Sequence, residues 1–209
     1  ARTHGRKVQV GAQGRTGWGA YYTCRAIRNG IVGKVDRVTC WHYENPVADS
    51  RPDTPAPADL DWDMWLGPGP SRPFNSLLYA DSYNHCSFWD YTRGWTPGMA
   101  PHIIDLPIWA LNLGVPDVTT CTGGRDVIDD DGDAPDVQEI TWRYKKFSMT
   151  WSMNCANRFA YDFGRGKPAR RLGIYFHALN GTLFTDYSNH TIVAEGDLLK
   201  DPTPPPQSI

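Results

Sequence analysis

Residues 147–155 read FSMTWSMNC, in which Phe147, Met149, Trp151, Met153 and Cys155 alternate with Ser148, Thr150, Ser152 and Asn154. A period of two puts the large apolar side chains on one face of a strand and the small polar ones on the other. A helix would scatter the same residues around its circumference, so this stretch demands a sheet with one covered face. The second face is small and uncharged, which suits packing against another sheet or a subunit. Further strands read from EITWRY at 139–144, from IVGKVDRVTCWHYEN at 31–45, and from a segment near TIVAEG at 191–196. GIYFHALNGTLFTDY at 173–187 reads as a hairpin whose Asn180–Gly181 pair fits a type I′ turn. At the start, KVQVGA (7–12) reads as a strand, and AYYTCRAIRNG (20–30) as a helix capped by Gly30. Several antiparallel strands with few helices define an α+β fold: an open, mainly antiparallel sheet covered by helices on one face.

The 209 residues, 40% apolar and 21% charged, suffice for one domain over 1–209 with a real core. A net charge of -2 with scattered Lys and Arg gives no field for nucleic acid. No apolar run approaches the roughly 20 residues of a membrane helix. The start, ARTHGRKVQV, has neither an initiator Met nor a signal-peptide core, so the chain reads as cut from something longer, with cytoplasm and export both open. Cys24, Cys40, Cys86, Cys121 and Cys155 form no CxxC pair and read as free thiols. Residues 46–75 form a Pro-rich arm that has to be ordered, because Trp62, Met64, Trp65, Leu66 and Phe74 are costly to leave in water.

Chemistry concentrates between Trp89 and Gly114. His102 follows a Pro/Gly break and Asp105 follows three residues later, in what reads as the first turn of a helix. Histidine exchanges protons near neutral pH, which makes His102 the candidate for acid–base work. Read structurally, it is a helix residue bonded to backbone, and Asp105 a first-turn carboxylate favoured by the helix dipole. Trp89, Tyr91 and Trp95 either stack on a sugar ring or fill a cleft floor. Pro107 kinks the helix or marks its true start. His42, Glu44 and Asn45 gather at a strand end, as site residues or as a solvated edge. The glycines Gly11, Gly14 and Gly17 lack the sharper dinucleotide spacing and read as a plain turn. Asp129, Asp131 and Asp133 have the alternate spacing of a calcium loop, but Ala134 stands at its glycine and Ile140 at its closing Glu, so no metal site is expected.

The order QVGAQGR, RNGIVGKVDRV, LDWDMWLGPGPSRPFN, WDYTRG with PHIIDLPIWAL, APD before a strand, and NGTL resembles the Gfo/Idh/MocA oxidoreductases from end to end. The resemblance implies the substrate-binding and oligomerisation domain of such an enzyme, without its N-terminal Rossmann domain and truncated at both ends. The implied substrate is a sugar, inositol or related polyol, and the implied cofactor NAD or NADP, held mainly by the missing domain; this chain alone is expected to bind none and to be inactive. His102 and Asp105 match the histidine and second carboxylate of the family's catalytic motif, whereas Gly98 stands at its first acidic position. The resemblance makes His102 the proton-transfer residue. Arg15 matches the second arginine of the family's opening motif, with Gly14 at the first, and His42 with Glu44 or Asn45 falls where the family lines its sugar pocket. A homo-oligomer through the open sheet face is implied, and neither nucleic acid nor membrane. Two alternatives stay open: a glycosidase-like relative using NAD catalytically, and a noncatalytic sheet domain for assembly.

Overall fold

The computed structural model describes residues 2–44, 50–80, 84–157, 171–186 and 189–199. In chain order the helices are α1 (Trp18–Arg28), α2 (Trp62–Leu66), α3 (Ser76–Ala80), α4 (Trp89–Thr92) and α5 (Trp95–Leu111). The strands are β1 (Val35–Tyr43), β2 (Val118–Gly124), β3 (Val137–Arg143), β4 (Ser148–Asn154), β5 (Leu172–Ala178), β6 (Gly181–Thr185) and β7 (His190–Ala194). They form one sheet in the order β2-β3-β4-β1-β5-β6-β7. Every pairing is antiparallel except β1 with β4 at its centre. The parallel pair is possible because the arm, α5 and the β2–β3 hairpin lie between the two strands and supply the crossover.

The alternation in β4 has the predicted effect. Met149, Trp151 and Met153 are buried on the side that faces α1 and α5, joined there by Val38 and Cys40 of β1, Ile174 and Phe176 of β5, and Leu183 of β6. α5 presents Trp95, Met99, Ile103 and Pro107 to this layer at four-residue spacing. Trp151 is fully buried, and its indole N–H donates to Thr96 Oγ1 at 2.9 Å, so its one polar atom is satisfied. α1 ends as read: Gly30 has φ +69°, its N–H bonds Ile27 O, and the Ile31 N–H bonds Ala26 O. This pair of bonds satisfies two of the carbonyls that a helix end leaves without partners.

On the opposite face Trp41, Tyr43, Tyr175 and Phe184 make an aromatic cluster beside a polar strip. In that strip Tyr43 Oη lies 2.8 Å from Ser152 Oγ, and the Ser152 hydroxyl donates to Glu139. Gly173 is required here. A Cβ on it would lie 2.5 Å from Trp41 Cζ2 and 2.8 Å from Phe184 Cε2.

The arm holds together through Trp62 stacked on Trp65 at 4.6 Å, Trp62 edge-on to Phe74 at 5.0 Å, and a bridge between Thr54 and Phe74. Residues 46–49 of it lie outside the described residues. Met64 is 77% exposed, contrary to expectation, because the short α2 can turn only its Trp62, Trp65 and Leu66 side inward.

Several sequence readings are corrected. Residues 7–12 are not a strand: they have no ladder partner among the described residues, and Val8 and Val10 are exposed. β2 went unread because its VTTCTGG is Thr-rich and almost wholly exposed at the sheet edge, without the alternation that marks β4. The β5–β6 turn is centred on Leu179 and Asn180, since Ala178 pairs with Gly181, and neither has the positive φ that a type I′ turn needs. Tertiary bonds set this turn: the Leu179 and Asn180 N–H groups donate to Lys34 O and Val32 O, and the Asn180 side chain sits against Gly33, whose φ is +81°. Finally, α5 begins at Trp95, so His102 and Asp105 stand mid-helix rather than in a first turn, and Pro107 neither starts nor ends it. Pro101 and Pro107 each remove one helical hydrogen bond, and the buried Trp95–Ile103 ridge keeps the helix continuous.

Candidate functional site

Because His102, Asp105, Leu106 and Trp109 are spaced i, i+3, i+4 and i+7, they share one face of α5. That face opens on a cavity of about 190 Å³, lined on its other sides by the 13–17 turn, the start of β5, Thr185 at the end of β6 and Asp186 just after it. His102 is exposed, so a ligand can reach its ring.

The turn at Gln13–Thr16 is a short 3-10 helix, held by Arg15 N–H to Ala12 O at 3.0 Å and Thr16 Oγ1 to Gln13 O at 2.9 Å. It clamps α5 through two side chains one helical turn apart. Arg15 donates from Nε and Nη2 to the two oxygens of Asp105 at 2.8 and 2.7 Å, a bidentate pair. Gln13 Nε2 lies 2.9 Å from His102 Nδ1. The Asp105 hydrogen bond holds the Arg15 guanidinium above its ordinary range. Two guanidinium groups lie over the Trp109 ring, Arg15 at 5.7 Å and Arg28 at 5.8 Å from its centre, and Arg28 also caps the α5 carbonyls of Trp109 and Ala110. Asp105 is therefore tied to Arg15, and the helix-dipole reading fails because it lies well inside α5.

The other sequence candidates lie elsewhere. His42 is buried beneath α5, its ring stacked on Trp95 at 5.9 Å, with no partner on Nδ1 among the described residues. Burial, reinforced by the charges of Arg171 and His102, pushes its pKa down to about 4. Glu44 is ion-paired with Arg171 and follows the end of β1. Asn45 lies outside the described residues. Trp95 is core, 3% exposed, with no face to offer a sugar. Tyr91 packs on Trp65 of the arm, and the exposed Trp89 belongs to the same short helix. Of the predicted residues, then, Arg15, His102 and Asp105 come together. Gln13, Trp109 and Asp186 were missed; the helical stripe could have found Trp109, whereas Asp186 is brought in only by the sheet.

Gly98, one turn before His102, is closed off from the site. A Cβ there would lie 2.9 Å from Cys86 Sγ, so a carboxylate at this position would press on a buried thiol. The acidic loop is structural. Asp136 is fully buried and accepts the N–H groups of Asp126, Val127 and Ile128 at 2.9, 2.9 and 2.6 Å. Burial alone would raise its pKa, but those bonds and Arg125 outweigh it and hold the carboxyl below its ordinary value. Asp133 meanwhile accepts the Trp89 N–H at 2.7 Å and so ties the loop to α4. Among the described residues no group of three His, Cys, Asp or Glu could hold a metal ion.

A glycine-rich turn at the edge of a cavity raises the question of a dinucleotide. The glycine turn gives no sign of one: Gly11, Gly14 and Gly17 have no positive φ, and a Cβ on Gly14 or Gly17 would make only ordinary contacts, at 3.8 Å with His102 O and 3.7 Å with Gly14 O, so nothing in the backbone requires glycine there.

The open, mainly antiparallel seven-stranded sheet with helices on one face is the α+β architecture expected from the sequence. Residues 29–207 match the family described as "Oxidoreductase family, C-terminal alpha/beta domain", and the chain belongs to this Gfo/Idh/MocA family. Its fold is similar to that of the WlbA dehydrogenase from Bordetella pertussis, solved with NADH and UDP-GlcNAcA (TM-score 0.58, 14% identity, 91% of this chain, 48% of that one). It is also similar to a super-repressor mutant of Gal80p from Saccharomyces cerevisiae (0.59, 13%, 93% and 45%). A third is an oxidoreductase from Agrobacterium radiobacter solved with NAD+, L-tartaric acid and magnesium (0.50, 12%, 86% and 43%). This chain thus spans less than half the length of each. No curated protein sequence matches.

Proposed function

We propose that this chain is the substrate-binding and oligomerisation domain of an NAD(P)-dependent oxidoreductase that acts on a sugar, inositol or related polyol. The observation that carries the reading is the accessible His102 ring at the edge of a cavity, held beside the Arg15–Asp105 pair and the flat face of Trp109. Such a cavity offers a ring of hydroxyls an aromatic wall, a guanidinium and a proton-exchanging imidazole. The complex of the Bordetella enzyme with a nucleotide sugar and NADH supports the substrate class. NAD or NADP belongs to the parent protein, bound by residues other than these, and supplies the redox chemistry there; this chain alone should neither bind it nor turn over. The polar strip and aromatic cluster on the open sheet face suit assembly with a second copy.

The test is to express the parent reading frame, screen neutral sugars and polyols for NADH formation, and compare His102→Ala. Loss of an acid–base group should cost about 10²–10⁴ in rate. Undiminished activity would overturn the assignment, while release of an aglycone without net NADH would point to the glycosidase-like alternative. The thiol packed against Gly98 favours a second reading, a noncatalytic assembly domain, which no turnover and a stable oligomer by light scattering would support.

A further inference from the structure

We propose that Gln13 is the positioning residue of His102: it sets the tautomer of the imidazole and so decides whether the ring meets a ligand as a donor or as an acceptor. The inference deepens the reading of His102 above and rests on it for its catalytic consequence; the tautomer itself is independent of turnover.

The argument starts from geometry. Gln13 Nε2 is 2.9 Å from His102 Nδ1, and an amide nitrogen has only hydrogens to give, so Nδ1 must offer its lone pair. The ring proton of neutral His102 therefore sits on Nε2, which has no hydrogen-bond partner among the described residues. The amide is well placed to impose this. Gln13 opens the 3-10 turn, whose backbone is pinned by Ala12 O and by the Thr16 hydroxyl, and which lies against α5 at His102 O.

The charges around the ring do not compete for Nδ1. Arg15 and Asp105 satisfy each other through two bonds, Asp186 accepts from the backbone N–H and the Nδ2–H of Asn189, and His42 lies beneath the helix. The partner at Nδ1 is thus a neutral group that can either give or accept a hydrogen bond. This differs from the common arrangement in which a carboxylate accepts from Nδ1–H and leaves Nε2 as a base.

The consequence is chemical. In the resting state Nε2–H donates a hydrogen bond to a carbonyl or hydroxyl oxygen of the ligand. To take a hydroxyl proton, the exposed ring must first lose its Nε2 proton to solvent and take one from solvent at Nδ1, which requires the amide to turn over and present Oε1; the substrate oxygen keeps the electron pair of its O–H bond. The substrate O–H then breaks, a new Nε2–H forms, and the resulting imidazolium keeps its Nδ1–H on Gln13 Oε1. Gln13 can serve both states because it has one donor end and one acceptor end.

The test is 15N NMR of the histidine-labelled chain above the histidine titration range, with His102 assigned by its absence in His102→Asn. In the wild type, His102 Nδ1 should give the unprotonated ring-nitrogen signal and Nε2 the protonated one. Gln13→Glu, which can only accept, should exchange the two signals, and Gln13→Leu should give a mixture. Two outcomes overturn the proposal: a wild-type ring protonated at Nδ1, or a pattern unchanged in both variants. Unperturbed signals from the remaining histidines would report that each variant is folded. If the tautomer behaves as stated and His102→Ala leaves the parent enzyme active, the function reading fails while Gln13 keeps its structural role.

Discussion

Replacing His42 with phenylalanine should flatten the acid limb of the stability curve. The imidazole is 1% exposed, lies parallel to Trp95, and has no partner for Nδ1 among the described residues, so a proton added there loses hydration without a compensating bond from them. Burial moves its pKa from 6.5 to about 4. Between those values the unfolded chain holds the proton and the folded one does not. Stability is therefore complete above about pH 6.5, falls as the pH drops below it, and levels off below about 4. At 1.36 kcal/mol per pH unit, the gap corresponds to a loss of about 3 kcal/mol. His85 and His177, also lowered by burial, act in the same direction, and Glu139, raised by burial, acts against it. These three groups are common to both proteins, so the difference between wild type and variant isolates His42. Urea unfolding at pH 7, 5.5 and 4 should show the variant gaining about 3 kcal/mol relative to wild type across the range, at unchanged m-values. Parallel curves for the two proteins would refute the reasoning.

Two further changes test the packing. Gly173→Ala puts a methyl against Trp41 and Phe184 at less than contact distance, and should cost about 1–3 kcal/mol by urea denaturation with a changed near-ultraviolet dichroism from the indole; a loss under about 0.5 kcal/mol would show that the aromatic cluster is loosely packed. Gly98→Ala sets a helix-propensity gain of about 1 kcal/mol against the 2.9 Å approach to Cys86 Sγ. It should be neutral or destabilising in the wild type and stabilising in a Cys86→Ala background; equal effects in both would show that the thiol does not limit this position.

The strongly periodic elements were legible. β4 alternates so regularly that its buried face could be assigned from the residues alone, and the α1 end at Gly30 follows from glycine's freedom at positive φ. Elements with weak local signals were not legible. β2 is a strand because β3 pairs with it, and residues 7–12 are not one because none of the described residues does. Asn180–Gly181 has the local chemistry of a type I′ turn, yet bonds to Val32 and Lys34 override it. For the site, His102, Asp105 and Arg15 were nameable, but their relation was not. Asp105 could be read as a helix cap until the fold brought Arg15, 90 positions earlier, onto both of its oxygens.

By itself, then, the sequence determined the sheet, its covered face, and the histidine that could do chemistry, because hydrophobic period and residue type are local properties. Only the tertiary structure decided which residues share a cavity. It removed Trp95 and His42 to the core, turned Asp136 into the anchor of an acidic loop, and set Gln13 on His102 Nδ1. Those contacts join segments far apart in the chain, and their geometry depends on how α5 lies across the sheet, which no local pattern encodes.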